Sequence, residues 1–271
     1  MSVDSTTVAS FLGTDHGGAS VELADYNGLD QATPADLSFY VGDDPDALAA
    51  TDAGAVVCRP AVAAQVDRAT VHSSTPKPDF CRAVGRFFAA SEDPQVSPAA
   101  TIREGAALGE ACHVAPGAYV DDCVVLGDRC VVQPGVVLGA QGYNYTPDAS
   151  GELHHLPHKG SVEIGDDVTI GANSVVDRGV FEATEIRSGT KLSSNVKVAH
   201  NVTVGEDVRI AMAATIAGST TIGDGAYIHP QVSVASHCHV GEGAEVGMAT
   251  KVLDDVAPGT TVVNPTEIRE L

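Results

Sequence analysis

From Val96 onward an aliphatic residue recurs at every sixth position: Val96, Ile102, Leu108, Val114, Val120, Leu126, Val132 and Leu138. The run breaks at Gly142-Tyr143-Asn144-Tyr145, resumes at Ile164, Ile170 and Val176, slips by four residues to Ile186, and continues in sixes to Val252. Four residues after each of these 23 aliphatics sits a small or β-branched residue, for instance Ala100, Cys112, Val136, Ser174, Val202, Ala226 or Cys238. Gly or Ala often follows the aliphatic directly. A period of six matches neither the 3.6 of an α-helix nor the 2.0 of a strand. It predicts a triangular coil in which each hexad is one short strand and one corner. The aliphatic fills the interior and the small residue fits the corner. Three hexads close a turn of about 18 residues, stacked on the next by parallel ladder bonds about 4.8 Å apart, and 23 hexads give seven to eight turns.

Residues 1–90 lack this repeat and are expected to form a separate small α/β domain, joined through Ser91-Glu92-Asp93-Pro94 to a coiled domain at 96–262. Ser5 is expected to cap a short helix with Val8, Phe11 and Leu12 on its apolar face. Leu37–Val41 and Ala55–Cys58 read as strands, and Pro78-Asp79 opens a helix presenting Phe80, Val84, Phe87 and Phe88. The coil is interrupted by a loop excursion at 143–161, and residues 263–271 form a short tail.

The composition sharpens this picture. Gly and Pro number 28 and 14, Trp is absent and aromatics are 4%, which suits a core of small aliphatics with many turns. The net charge of −21 argues against nucleic acid and anionic membrane as partners, since both are held by Lys and Arg. No apolar run is long enough to span a membrane, and the opening MSVDSTTVASF lacks the features of a signal peptide. A cytoplasmic protein with reduced thiols is expected. Its acidity also fits a high-salt cytoplasm, where self-repulsion is screened. The six cysteines contain no CxxC pair, and no metal site is expected. Cys112 and Cys130, 18 residues apart, should stack inside the prism as corner fillers.

On so regular a post, chemistry belongs where the repeat breaks or carries a polar group it does not need. One such place is the excursion between Leu138 and Ile164, with Tyr143, Tyr145, His154, His155 and His158. The other is His200, whose hexad position points outward. Counting by eighteens, His200 lies above Gly218 and Ser236, with His237 near the same edge and Gly218 leaving open space between the two imidazoles. An imidazole there suits a general base acting near neutral pH.

Several stretches occur in an order that resembles the UDP-3-O-acylglucosamine N-acyltransferases of lipid A synthesis, members of the left-handed parallel β-helix hexapeptide-repeat acyltransferases. They are Leu138 to Tyr145, Leu156-Pro157-His158-Lys159-Gly160, Ile164-Gly165-Asp166-Asp167, Val176-Asp177-Arg178-Gly179, Ala199-His200-Asn201, Ile216-Ala217-Gly218-Ser219 and Ala235-Ser236-His237. Asp36-Leu37-Ser38-Phe39 and Leu48 to Ala55 resemble that family's nucleotide-binding domain. The resemblance implies a homotrimer with active sites between neighbouring β-helices. In these, His200 is the general base, His237 assists, and backbone amides near Gly218 hold the oxyanion. It further implies that Phe39 stacks on uracil and that Tyr143, Tyr145, His158 and Asn201 lie near the sugar nucleotide. No tightly bound cofactor is implied; the co-substrate is an acyl thioester, on coenzyme A or on acyl carrier protein.

The chain departs from the family where a Tyr and an Asn give way to Pro45 and Gly42, and where the carboxylate seven residues before the catalytic His is replaced by Ser193. Several turns before Leu138 are missing, and the chain ends at Leu271 without the family's C-terminal helices. With the acidity, this leads us to expect a small thioester captured by Lys251 or Arg178 rather than an acidic carrier protein. Three other readings stand beside this one. They are an acetyl-CoA-dependent sugar O- or N-acetyltransferase of surface-glycan synthesis, a non-catalytic sugar-nucleotide scaffold, and a trimeric zinc enzyme of carbonic-anhydrase type recruiting His200, His237 and His239.

Overall fold

The computed structural model describes residues 2–88 and 95–263, and the chain divides into two compact units, 1–91 and 92–271. The expected linker at Ser91–Pro94 and, beyond Val263, the expected tail lie outside the described residues.

The first unit is a five-stranded sheet in the order His16–Gly17, Thr70–His72, Ala55–Cys58, Asp36–Phe39 and Asp25–Tyr26. Pairing is parallel except at His16–Gly17. Helices Ser5–Leu12 and Pro76–Phe87 pack on one side, burying Val8, Leu12, Phe80 and Ala83 against Leu37, Val57 and Val71. The first helix is capped differently from expectation. Asp4 is its N-cap, accepting from Thr7 N, while Ser5 is the first helical residue and is buried. The Ser5 hydroxyl lies 2.8 Å from His16 Nε2 and accepts from Val21 N, so it ties the helix to its neighbours instead.

The second unit is a three-sided parallel β-helix. Its faces are sheets of eight, eight and seven two- to four-residue strands among the described residues, and strands of one face pair in parallel. The register advances by 18 residues per coil: Thr101 opposes Tyr119, Tyr119 opposes Val137, and Lys197 opposes Thr215, which opposes Ser233. It advances by 38 where the loop is inserted, from Val137 to Val175, and by 22 at the four-residue slip, from Val175 to Lys197. The aliphatics from Val114 to Val252 are buried in one continuous core. Ile102 and Leu108 pack more loosely against it, and Val96, held by a single bridge to Val114, is largely exposed.

The corners explain the small residues. At most corners the residue three after the aliphatic takes a positive φ, as at Asn173 (59°), Asn195 (60°), Asn201 (57°), Ser219 (59°) and His237 (65°), which Gly, Asn and Asp adopt at least cost. One residue later the chain turns inward, and polar fillers bond across to the next coil. Ser174 Oγ donates to Ser193 O at 3.0 Å and Thr190 Oγ1 to Gly205 O at 2.8 Å. The thiols of Cys112 and Cys130 do the same, each 3.1 Å from a carbonyl, of Gly127 and Gly165 respectively. Burial pushes the Cys130 thiol up to about 11, so it stays protonated and inert as a nucleophile.

One edge of the prism is acidic. Stacked coil on coil are Glu110, Asp128, Asp166, Ser188, Glu206, Asp224 and Glu242. The carboxylate of one coil accepts the backbone N–H of its counterpart below: Glu110 N to Asp128 Oδ1 at 2.7 Å, Asp128 N to Asp166 Oδ1 at 2.9 Å, and Glu206 N to Asp224 Oδ1 at 2.9 Å. Gly109, Gly127 and Gly205 precede these donors because a Cβ there would lie 2.5, 2.5 and 2.3 Å from the carboxylate oxygen. The ladder is therefore built in, and its like charges stand about 4.8 Å apart. Salt should relieve it, since screening shortens from about 30 Å at 0.01 M to about 3 Å at 1 M. The melting temperature should rise by roughly 5–10 °C between about 0.05 M and about 2 M NaCl. A variant carrying Glu206→Gln, Asp224→Asn and Glu242→Gln, which keeps the oxygen acceptors, should lose much of that increment in differential scanning fluorimetry. An unchanged salt slope would show that the edge is not its source.

Candidate active site at the break in the repeat

The two interruptions of the hexad converge on one corner. After Leu138 the chain leaves the prism at Ala140, forms an antiparallel hairpin of Tyr145–Pro147 with Leu153–His155, and rejoins at Val162, which pairs with Val124. Gln141 clamps the loop base: its Nε2 donates to His158 O at 3.1 Å and its Oε1 accepts His158 N at 2.8 Å. His158 is thereby drawn inside, 3% exposed, with Nδ1 at 3.2 Å from both Gly142 N and Arg178 O. Burial holds its pKa below the ordinary histidine value, and its Nε2 is buried without a hydrogen-bond partner.

From His158 a row of rings runs both ways. The His158 ring meets His200 edge-to-face at 5.1 Å and stacks on His155 at 6.2 Å. His155 lies 4.6 Å from Tyr145, which lies 5.3 Å from Tyr143. Tyr143 is 80% exposed, so the row connects solvent to His200.

The four-residue slip becomes a bulge between Asp177 and Thr184. It sends Arg178 back under the loop, where Nε donates to Gly160 O at 3.0 Å and Nη1 pairs with Asp121 at 3.4 Å. Asp177 is buried against Lys197; desolvation pushes its carboxyl up, and Lys197 opposes that. The Val180 amide donates to Asn201 Oδ1 at 3.0 Å, and the Asn201 amide donates to Thr184 Oγ1 at 2.8 Å.

His200 stands at the centre. Its Nδ1 is 3.2 Å from Asn201 Oδ1. Its ring lies over Gly218, where a Cβ would come within 2.6 Å of Cε1 and 2.7 Å of Nε2. The space expected above Gly218 is thus filled by the His200 ring itself. The missing side chain is the floor on which the imidazole rests.

The structure brings together His200, Asn201, Gly218 and His158, and links Tyr143 and Tyr145 to them through His155. His237 sits one coil on at a corner; its amide donates to Gly218 O at 3.1 Å and its side chain is exposed. The guanidinium of Arg178 is engaged with Asp121 and Gly160, whereas Lys251 is exposed on the face that also holds Lys197. Phe39, in the first unit, packs against Phe80 at 4.9 Å, beside Tyr26 and Phe88. Sequence reasoning missed Gln141 and the Asp177–Lys197 pair. Counting through the slip, which sets Lys197 opposite Val175, would have placed that lysine near Asp177. Among the described residues two groups have metal-binding spacing, Asp121-Asp122-Cys123 and Asp148-Glu152-His154, and neither includes His200, His237 or His239.

The fold and the placement of the site define a class, the left-handed parallel β-helix built of hexapeptide repeats. The family described as bacterial transferase hexapeptide (six repeats) matches residues 105–140, and the hexapeptide repeat of succinyl-transferase matches residues 161–206. A solved UDP-N-acetylglucosamine acyltransferase from Bacteroides fragilis shares the fold, with a TM-score of 0.52 and 25% identity over 62% of this chain and 70% of that one. The enzyme of that name from Campylobacter jejuni, 22% identical over 62% of this chain and 70% of that one, aligns with a TM-score of 0.50.

The particular relatives in sequence are UDP-3-O-acylglucosamine N-acyltransferases. That of Caulobacter sp. (strain K31) is 37% identical over 125 residues, covering 46% of this chain and 36% of the relative. That of Campylobacter concisus is 35% identical over 134 residues, covering 49% and 42%. That of Methylobacterium nodulans is 32% identical over 122 residues, covering 45% and 34%. The matched stretch spans between about a third and two fifths of these relatives' length. No helix among the described residues is long and apolar enough to cross a membrane.

Proposed function

We propose that this protein is an acyltransferase that moves an acyl group from a thioester to the amino group of a nucleotide-linked amino sugar. The observation that supports this reading most directly is the imidazole of His200, seated where both breaks in the repeat converge, beneath a loop whose rings open to solvent. The names of the sequence relatives agree with it.

In this reading His200 Nε2 takes a proton from the acceptor amine as the amine nitrogen attacks the thioester carbonyl carbon. Backbone amides along the Gly218 edge hold the oxyanion that forms. Collapse breaks the C–S bond, and the departing thiolate takes the proton back from the imidazolium. The products are an amide, a free thiol and neutral His200. Tyr143 and Tyr145 line the approach of the sugar nucleotide, with His158 and Asn201 at its inner end, and His237 orients substrate from the next coil. Phe39 contributes to nucleobase binding. Three copies assemble so that each cleft lies between two β-helices.

The donor is a small thioester such as acyl coenzyme A. A trimer of chains each carrying −21 repels an acidic carrier protein, whereas a small anion needs only a local cation. Lys251, exposed, serves that role; Arg178, tied to Asp121, shapes the loop base instead.

The test is a matrix of acetyl-, 3-hydroxyacyl- and long-chain acyl coenzyme A, plus acylated carrier protein, against UDP- and dTDP-amino sugars, at low and high salt. Mass spectrometry should show one acceptor gaining an acyl group while a free thiol is released, with coenzyme A donors outpacing carrier protein. Absence of thioester cleavage with every pair overturns the reading in favour of a binding scaffold.

A further inference from the structure

We infer that Asn201 is a positioning residue that fixes His200 as the tautomer bearing its proton on Nδ1, leaving a bare Nε2 at the site. This rests on the reading of His200 as the general base.

The assignment follows from donors and acceptors alone. The Val180 amide can only donate, so the Asn201 side-chain atom 3.0 Å from it is the carboxamide oxygen. Turning the amide over would set its NH2 against that N–H. The same oxygen lies 3.2 Å from His200 Nδ1. An oxygen already held as acceptor cannot donate to the ring, so the hydrogen between them belongs to Nδ1. In a neutral imidazole Nε2 then has the free lone pair. The ring is steadied by Gly218 beneath it and by the edge contact with His158.

Asn201 is itself well anchored. Its backbone occupies a left-handed corner at φ 57°, and its amide bonds Thr184 Oγ1 at 2.8 Å. Two irregularities thereby gain a purpose. Ser193, seven residues before His200, is no longer the place to look for the group that orients the base. The four-residue slip exists in part to deliver the Val180 N–H to the Asn201 carbonyl, because a strict hexad has no residue there to do so.

Three variants and one spectrum decide the matter. Asn201→Gly keeps the left-handed corner and removes the acceptor. It should lower kcat about tenfold, with KM within a few-fold and the melting temperature little changed. Asn201→Asp still accepts from both partners but adds a negative charge, which favours the imidazolium. The acid limb of kcat/KM should move up by about one pH unit. His200→Gln should lose roughly 10²- to 10⁴-fold in rate in parallel. Imidazole 15N spectra should show His200 protonated on Nδ1 in the wild type and as a tautomer mixture in Asn201→Gly. A wild-type proton on Nε2, or variants whose rate, pH limb and tautomer all match wild type, overturns the inference. Turnover within about tenfold of wild type in His200→Gln overturns the base reading instead, and that failure is separately visible because the tautomer spectrum does not depend on activity.

Discussion

Replacing His200 by Gln should lower acyl transfer by roughly 10²- to 10⁴-fold, the usual contribution of a positioned proton acceptor. The substitution is chosen to change little else. Glutamine is uncharged and reaches about as far as imidazole, and its side-chain amide can still donate toward Asn201 Oδ1. What it lacks is a basic nitrogen. The residue faces outward from the prism, so the buried Val198 and Ile216 that flank its corner are untouched. Stability should therefore change by less than about 1 kcal/mol. Steady-state kinetics with the preferred donor and acceptor, alongside thermal melting and light scattering, check both halves of the expectation. If the variant turns over within tenfold of wild type, His200 is not the base. If it melts well below wild type, the loss of rate reports the fold rather than the chemistry.

The hexad was readable because it is enforced by stacking. Each aliphatic of the period meets an equivalent aliphatic one coil away, so an error at any position would open the core, and the period is kept over nearly the whole unit. The vertical relation of His200 to Gly218 follows from the same arithmetic, and the amide of Ser219 donating to His200 O at 3.0 Å bears it out. What occupies the space over Gly218 does not follow, since a rotamer is set by contacts that counting does not supply. The same holds for Asn201. Its place at a left-handed corner is visible in the sequence, but its acceptor role depends on where the bulge between Asp177 and Thr184 bends, and that bend comes from the tertiary links of Arg178 to Gly160 and Asp121. In the first unit, Asp4 and Ser5 are adjacent and both good caps, so only the pairing of Ser5 with His16 and Val21 decides between them.

The repeat also separates tasks by edge. The residue two after each aliphatic points outward at a corner, and the three corners carry different chemistry. One is the carboxylate ladder, whose preceding glycines admit hydrogen bonds between coils. Another presents Met212, Pro230 and Met248, joined by the backbone bonds Gln231 N to Met212 O and Ala249 N to Pro230 O. The third holds His200, Gly218 and Ser236, where a side chain is withheld to seat the imidazole. The same position is thus read by the fold three ways, and only at the third does the chain interrupt its own period to cover it. The acidic corner is distinct from the one bearing His200, so its charge acts on an incoming donor through the long-range field, and salt should change the encounter without changing the chemical step.

Gly218→Ala should cost about 100-fold in kcat, through geometry alone. Gly218 is buried and has no positive φ, so alanine meets no backbone strain there. Its Cβ would lie 2.6 Å from His200 Cε1, 2.7 Å from Nε2 and 3.1 Å from Nδ1, distances that a ring at rest does not tolerate. The imidazole must swing away, yet on its other side stand Gly142, whose own Cβ would come within 3.3 Å of His200 Cδ2, and the ring of His158 at 5.1 Å. Any available movement draws Nδ1 away from the Asn201 oxygen and carries Nε2 off its line to the acceptor. A displacement of about 1 Å at a reacting group is worth about 10²-fold in rate. Stability should hold or rise slightly, because alanine restricts the unfolded chain. This opposition of signs distinguishes the effect from general damage. Ser236→Ala, one coil further along the same edge, serves as the control and should leave kcat within a few-fold of wild type. A Gly218→Ala protein with wild-type turnover would mean that His200 works from another position, and that the floor beneath it is incidental.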